Sequence, residues 1–280
     1  MASEAPDESL PALADLISLR GRRALITGGA RGIGYSVARR FAEAGAVVLL
    51  GDRNVEGAVQ AAREISAMHQ ATVHGMALDV TDSESVAEFA DAGVRLFGGI
   101  DIWVNNAGVY PGASLLEMTD EAWQQVCDVN LRGTFFGCRE AGRRMVNETG
   151  RTGRVIVNIA SVAAVRGRTG LTHYSAAKSG VLGLTRGAAV ELAPHGIRVL
   201  VVTPSLAETP GAQEMRRAAQ QSNSAGDMLQ SMERSIMAAF PMGRAGQPDE
   251  IARVVLFCAS DLAAFMTGSN VFVDGGLAAR

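Results

Sequence analysis

Short runs of apolar residues recur along the chain, and longer stretches of helical periodicity separate them. Strands are expected at 24–27, 47–50, 72–78, 100–104, 155–159, 199–203 and 271–273. Helices are expected at 32–44, 55–68, 83–97, 119–146, 172–193 and 248–259. A strand that reads as one continuous apolar run suits a parallel sheet covered on both faces. Regular strand–helix alternation predicts an α/β fold, a doubly wound parallel sheet with helices on both faces. One segment breaks the rhythm. Residues 205–246 form a long connection carrying Met215, Met228, Met232, Met237 and Met242. Such length is often functional, and methionine adapts to apolar ligands, so a substrate lid is expected there.

Composition narrows the classes. Of the 280 residues 48% are apolar, ample for a buried core. A net charge of -3 gives no electrostatic case for nucleic acid or an anionic membrane. Cys127, Cys138 and Cys258 are odd in number, and their spacing fits neither a metal site nor a disulfide framework. They are expected in the core, in a reducing compartment. No apolar run reaches the roughly 18–20 residues of a membrane span. The start of the chain is acidic and lacks a basic, apolar leader, which makes the cytoplasm the expected location. Residues 1–20 read as an extension outside the core, with one or two helical turns over 12–19, and residues 21–280 as the domain.

Candidate chemistry gathers at the carboxyl ends of the strands. The first strand runs into Thr27-Gly28-Gly29-Ala30-Arg31-Gly32-Ile33-Gly34 and then a helix. Glycines let a backbone approach closely, and a helix N-terminus offers free N–H groups to a diphosphate. Strand before and helix after are the context that gives a glycine-rich turn meaning. Asp52 ends the second strand, where a carboxylate accepts from adenosine ribose hydroxyls and repels a 2′-phosphate. That favours NAD, although Arg31 and Arg53 could each neutralise such a phosphate and leave NADP open. Asp79 and Val80 follow the third strand and the turn Asn105-Asn106-Ala107-Gly108 the fourth, both near the switch point where ligands bind. Asp79 could accept from the adenine amino group, and the turn could support the riboses. Asn105 is equally well read as a buried amide tying strands together. Tyr174 and Lys178 lie four residues apart, on one helix face. A lysine ammonium beside a phenol favours the phenolate and should lower its pKa from about 10. A phenol so tuned exchanges a proton with an alcohol or ketone near neutral pH.

Taken in order, these pieces resemble the short-chain dehydrogenase/reductase family. The match runs from 27–34 through Asp79-Val80, 105–108, Asn130, Ser161, Tyr174 with Lys178, Pro204 and Thr209-Pro210 to Val273-Asp274-Gly275-Gly276. The resemblance implies a single-domain, seven-stranded Rossmann-type sheet, a homotetramer and a nicotinamide cofactor. It makes Tyr174 the general acid/base and gives Ser161 a hydrogen bond to the substrate oxygen. Lys178 would bind the nicotinamide ribose, and Asn130 would hold a water linking Lys178 to solvent. Pro204 would flank the nicotinamide and Thr209 would meet its carboxamide. Ser205 stands where glycine is usual and Leu200 where asparagine is common.

The nearest look is that of 3-oxoacyl-carrier-protein reductases and their alcohol dehydrogenase relatives. Asp52 disfavours the NADP usual in those reductases, and His195 stands where they tend to carry arginine. The expected function is therefore NAD-dependent interconversion of a free secondary alcohol and a ketone. The alternatives are an NADP-dependent carrier-protein reductase and a catalytically silent redox sensor. Arg166 and Arg168 near the pocket mouth could attract an anionic substrate, but are expected to be solvated or at a subunit contact. His173 and Trp123 are expected to pack rather than bind.

Overall fold

The computed structural model describes residues 10–148, 150–211, 213 and 240–279. Seven strands, β1 (Arg23–Thr27), β2 (Val47–Asp52), β3 (Val73–Ala77), β4 (Ile102–Asn105), β5 (Arg154–Ile159), β6 (Ile197–Pro204) and β7 (Asn270–Val273), form one sheet in the order β3-β2-β1-β4-β5-β6-β7. Every pairing is parallel, with Ile26 opposite both Leu50 and Val104 at the centre. The strand order reverses between β1 and β4, and there the crevice for a ligand opens at the carboxyl ends. This is the doubly wound architecture that the alternation predicts, in the single seven-stranded domain that the resemblance implies.

Helices α1 (Leu13–Ile17), α2 (Gly32–Glu43), α3 (Val55–His69), α4 (Ser83–Phe97), α5 (Asp120–Cys127), α6 (Gly133–Val146), α7 (Thr172–Leu192) and α8 (Pro248–Ala259) surround the sheet. The period of two in each strand divides the core into two layers. Ala24, Ile26, Val48, Leu50, Val104 and Val202 pack with Val37, Phe41, Ile65 and Val255 from α2, α3 and α8. The intervening Leu25, Leu49, Trp103 and Ile156 pack with Phe89, Ala141 and Met145 from α4 and α6. Leu200, in place of the common asparagine, is fully buried among the first set.

Several expectations are corrected. The single helix over 119–146 is two helices joined by a π-helical turn, Asp128–Arg132. The wider turn is braced by buried Asn130, whose Nδ2 donates to the carbonyls of Val109 (2.8 Å) and Val126 (3.0 Å). π-turns inside helices occur often at functional sites. The extension is not wholly outside the core: Leu19 is 1% exposed and packs in the first layer. Its backbone N–H donates to the carbonyl of Ala44 (2.8 Å), which ties the segment to the end of α2. Cys138 and Cys258 are buried, whereas Cys127 is only half-buried. No described helix is long and apolar enough to cross a membrane.

The amino ends of the strands carry paired charge. Arg23, at the start of β1, donates from Nε (2.8 Å) and Nη2 (2.9 Å) to buried Asp101, and also pairs with Glu148. Glu148 accepts in addition from the Ile100 N–H (2.8 Å), and Arg151 reaches Asp101 at 3.0 Å. Burial opposes the charge on Arg23, but the two carboxylates more than offset it and hold its pKa above the ordinary value.

Candidate active site

At the opposite edge lies a cavity of about 580 Å³. Its walls are the turns that leave β1, β2, β3, β4, β5 and β6, together with α7. Of the residues singled out in the sequence, Gly28, Arg31, Gly32, Ile33, Asp52, Arg53, Asp79, Val80, Asn106, Ala107, Gly108, Ser161, Tyr174, Lys178, Pro204 and Thr209 all line it. Gly34 and Asn130 do not line it and lie directly behind its wall.

The glycine turn is built for close approach. Gly28 has φ +68 and Gly32 φ +64, a region that a side chain resists. A Cβ on Gly28 would sit 2.8 Å from Ala107 Cα, and one on Gly34 would sit 2.2 Å from the Gly28 carbonyl oxygen. Neighbouring turns lock this geometry. Thr27 Oγ1 accepts from the N–H groups of Asn106 (3.0 Å) and Ala107 (3.1 Å), while Asn106 Nδ2 donates to the carbonyls of Thr27 (3.0 Å) and Gly28 (2.9 Å). Arg31 precedes α2 in extended conformation and no side chain caps that helix, so its N-terminus faces the cavity with its donors available.

The acids are held in place. Asp52 accepts from the N–H groups of Ala30 (3.1 Å) and Asn54 (3.0 Å), which fixes its carboxylate between the glycine turn and α3. Asp79 accepts from the Thr81 hydroxyl (2.7 Å) and N–H (2.9 Å). Burial pushes its pKa up, but the Thr81 hydrogen bonds and the charge of Arg53 hold it below the usual value. Asn105 turns away from the cavity. It accepts from Trp103 Nε1 (2.7 Å) and donates to Asn158 (2.8 Å), and so ties β4 to β5 as a buried amide.

Ser161, Tyr174 and Lys178 meet on the other side. Ser161 follows β5, caps the short 3-10 turn Val162–Ala164 through the Ala163 N–H (3.2 Å), and lies close enough to the Tyr174 phenol for its hydroxyl to lower the phenol's pKa. Lys178, 3% exposed, donates to the Ile159 carbonyl (2.7 Å), and its Nζ lies 5.8 Å from the centre of the Tyr174 ring. Burial lowers the Lys178 pKa to about 8. The expectation of an acidic phenol is corrected here. Burial pushes Tyr174 up to about 12, only partly opposed by Ser161, and Tyr110 raises it further while Arg168 lowers it. The lysine is directed at a backbone carbonyl rather than at the phenol, so it does not offset the desolvation. Asn130 Oδ1 is buried and accepts from no described group, and a Cβ on Gly108 would lie 2.8 Å from it and 3.7 Å from Lys178 Nζ.

Tyr110, which the sequence reading did not single out, also lines the cavity, its ring 5.9 Å from that of Tyr174. Its place, two residues beyond the turn after β4, was the available signal. His173 is fully buried and Trp123 partly exposed, and neither lines the cavity. Met215, Met228, Met232 and Met237 of the expected lid lie outside the described residues, and Met242 is exposed. Phe240 and, after β6, Ser205, Leu206, Ala207, Thr209, Pro210 and Gly211 do line the cavity.

A sequence model described as enoyl-(acyl carrier protein) reductase matches residues 28–278. The chain is 37% identical over 259 residues to the 3-oxoacyl-[acyl-carrier-protein] reductase of Thermotoga maritima, covering 92% of this chain and 98% of that one. It is 36% identical over 258 residues to the L-rhamnose 1-dehydrogenase (NAD(P)(+)) of Azotobacter vinelandii, covering 90% and 95%. The crystal structure of a short-chain type dehydrogenase/reductase from Mycobacterium marinum superposes with a TM-score of 0.85 at 34% identity, covering 95% and 99%. With the sheet order, the glycine turn and the Ser–Tyr–Lys group, these matches establish that the chain belongs to the short-chain dehydrogenase/reductase family of NAD(P)-dependent oxidoreductases.

Proposed function

We propose that the protein interconverts a secondary alcohol and a ketone with NAD(H), Tyr174 serving as general acid/base. The observation that carries this is the convergence of Ser161, Tyr174 and Lys178 on the cavity that the glycine turn also lines. The cavity residues fit the cofactor. Gly28 and Gly34 let the turn pack tightly against Ala107, Asn106 and its own backbone, where a Cβ would collide, and the uncapped start of α2 beside that turn suits a diphosphate. Gly28, Arg31, Gly32 and Ile33 would hold the diphosphate, with Gly34 behind them packing α2 against the turn, Asp52 and Arg53 the adenosine ribose, and Asp79 and Val80 the adenine. Asn106, Ala107 and Gly108 would support the riboses, Tyr174 and Lys178 the nicotinamide ribose, and Pro204 and Thr209 the carboxamide end. When bound, the nicotinamide gives or accepts the hydride.

In reduction, Ser161 donates to the substrate oxygen and Tyr174 delivers a proton to it; in oxidation Tyr174 takes the alcohol proton back. Lys178 and the unpaired Asn130 Oδ1 stand behind Tyr174, where a water between them would carry the proton outward. Asp52 favours NAD. It is anchored by two backbone donors, whereas Arg53 shares its charge with Asp79.

The identity to the Thermotoga maritima reductase favours a second reading, reduction of a carrier-protein substrate with NADPH. Asp52 and the exposed His195 weigh against it. The intact Ser161–Tyr174–Lys178 group weighs against a silent redox sensor. We further take the enzyme to be a cytoplasmic homotetramer; Phe135 on α6 and Phe272 on β7 are exposed apolar side chains that subunit contacts would cover, and sedimentation tests this. The deciding experiment follows nicotinamide absorbance with panels of ketones and secondary alcohols, each with both cofactors. Turnover should favour NAD(H) by about tenfold or more. Fastest turnover with NADPH and an acyl-carrier-protein substrate, or cofactor binding without any turnover, would reject the proposal.

A further inference from the structure

The substrate side of the cavity is asymmetric in charge. The described acids that line it, Asp52 and Asp79, belong to the β2 and β3 turns. On the side of Ser161 and Tyr174 the charged side chains are Arg166, Arg168 and Lys178, Arg31 Nη2 approaches Gly211 beside the Tyr110 hydroxyl, and no described carboxylate lines that side. Lys178 is buried against the Ile159 carbonyl and Arg166 donates to the Leu277 carbonyl (2.6 Å). Arg168 lines the same cavity, is exposed, and pairs with no described acid.

The loop that presents Arg168 is held on both flanks. At one end Ser179 Oγ donates to the Ala164 carbonyl (2.7 Å) and Arg166 grips Leu277. At the other, the Ala113 N–H donates to the Gly170 carbonyl (2.9 Å), and the Leu171 N–H to the carbonyl of Arg168 itself (3.2 Å). Arg168 is thus fixed in backbone position while its side chain remains free to turn inward. Both Arg168 and Tyr174 line this cavity, and the charge of Arg168 acts to lower the phenol's pKa. Tyr110 and Leu171 supply apolar wall beside it.

We propose that Arg168 is a specificity residue that receives a carboxylate carried by the substrate, so that the enzyme acts on oxo acids and the matching hydroxy acids. A planar guanidinium pairs with a carboxylate through two parallel hydrogen bonds. This assignment deepens the proposed function and rests on it. The reaction oxygen sits at Ser161 and Tyr174, and the carboxylate points to the mouth, leaving Tyr110 to cover the chain between.

The test compares acetoacetate, levulinate and longer methyl-ketone acids with their methyl esters, in steady-state reduction by NADH. For the best-fitting acid, kcat/KM should exceed that of its ester by about tenfold, the low end for a charge-assisted hydrogen bond at an exposed site. Arg168→Leu should remove the advantage by raising KM for the acid alone. Calorimetric titration of the NAD-loaded protein with hexanoate and hexanamide gives a readout that needs no catalysis. Hexanoate should bind more tightly to the parent, and the two should bind alike to Arg168→Leu. Equal binding in the parent, or discrimination that survives Arg168→Leu, overturns the assignment. Carboxylate discrimination without turnover of any ketone upholds the assignment and rejects the proposed catalytic function instead.

Discussion

Two buried cations stand at opposite edges of one sheet, and they are treated differently. Arg23 at the amino edge meets Asp101 and Glu148, and its pKa rises. Lys178 at the carboxyl edge meets one carbonyl, and burial lowers its pKa to about 8. The first arrangement satisfies a charge and closes the bottom of the sheet. The second leaves a charge undercompensated beside a cavity, the condition under which a group exchanges protons near neutral pH. A lowered pKa alone does not mark function. Arg198, near the start of β6, is also buried against carbonyls, of Cys258 (2.8 Å) and Ser260 (3.3 Å), and its pKa is lowered too, yet it lines no described cavity. The difference lies in what adjoins the group: Lys178 has Tyr174 and an open cavity, whereas Arg198 has packed chain.

If this contrast is right, damage at the two edges should separate activity from stability. The largest effect belongs to Tyr174→Phe. Turnover should fall by about 10²–10⁴-fold, the usual contribution of a general acid/base, with folding stability preserved and cofactor affinity reduced only by the one lost ribose hydrogen bond, about fivefold. Fluorescence titration with NADH beside the kinetic assay checks this, and retained turnover would remove the phenol from the chemistry. Asp101→Ala should do the reverse. It strands part of a buried ion-pair network and should cost about 3–5 kcal/mol in urea unfolding while leaving kcat close to that of the parent.

The third prediction concerns pH. Lys178 binds its proton less tightly folded than unfolded, so the unfolded chain holds more protons between pH 8 and 10.5, about the two pKa values. The Lys178 contribution should therefore raise stability with pH across that window, by an amount of order 3 kcal/mol, against an opposing loss above pH 9 from the buried thiols of Cys138 and Cys258, raised from 9 to about 12 and about 11. Lys178→Met should abolish the rise and lose activity. Tyr174 acts in the opposite sense at higher pH: its phenol is raised from 10 to about 12, so stability is present below 10 and lost as pH climbs through about 12. The difference between the urea midpoints of the parent and of Lys178→Met, from about pH 7 to about pH 10, isolates the lysine, since the two thiols contribute to both. The smallest effect is expected from Gly28→Ala. Its positive φ and the 2.8 Å approach to Ala107 require the turn to shift. A stability loss of about 1–3 kcal/mol should accompany weaker NADH binding, and unaltered binding would show that the turn tolerates a side chain.

Much of the carboxyl edge was legible because its chemistry is carried by short motifs. The glycine turn, Asp52, the 105–108 turn and the Tyr174–Lys178 spacing depend on local backbone geometry, and all but Gly34 and Asn130 among the expected site residues face one cavity. Tyr110 and Arg168 were harder. Nothing in their local sequence separates a cavity wall from a solvated loop, and only the packing of the 110 and 168 loops beside Tyr174 makes the distinction. The π-turn at Asn130 was hidden for a related reason: one extra residue per turn leaves the apolar periodicity almost unchanged, while the need to bury an amide against Val109 is a long-range contact.

By itself, the sequence determined the α/β class, the strand succession and the type of chemistry at the strand ends, since hydrophobic period and glycine placement act over a few residues. The tertiary structure decided the proton affinities. Desolvation depends on what packs around a group, not on what precedes it in the chain. A lysine one helical turn from a tyrosine was expected to make the phenol acidic; the folded chain instead turns that lysine to the Ile159 carbonyl and buries the phenol, raising its pKa to about 12.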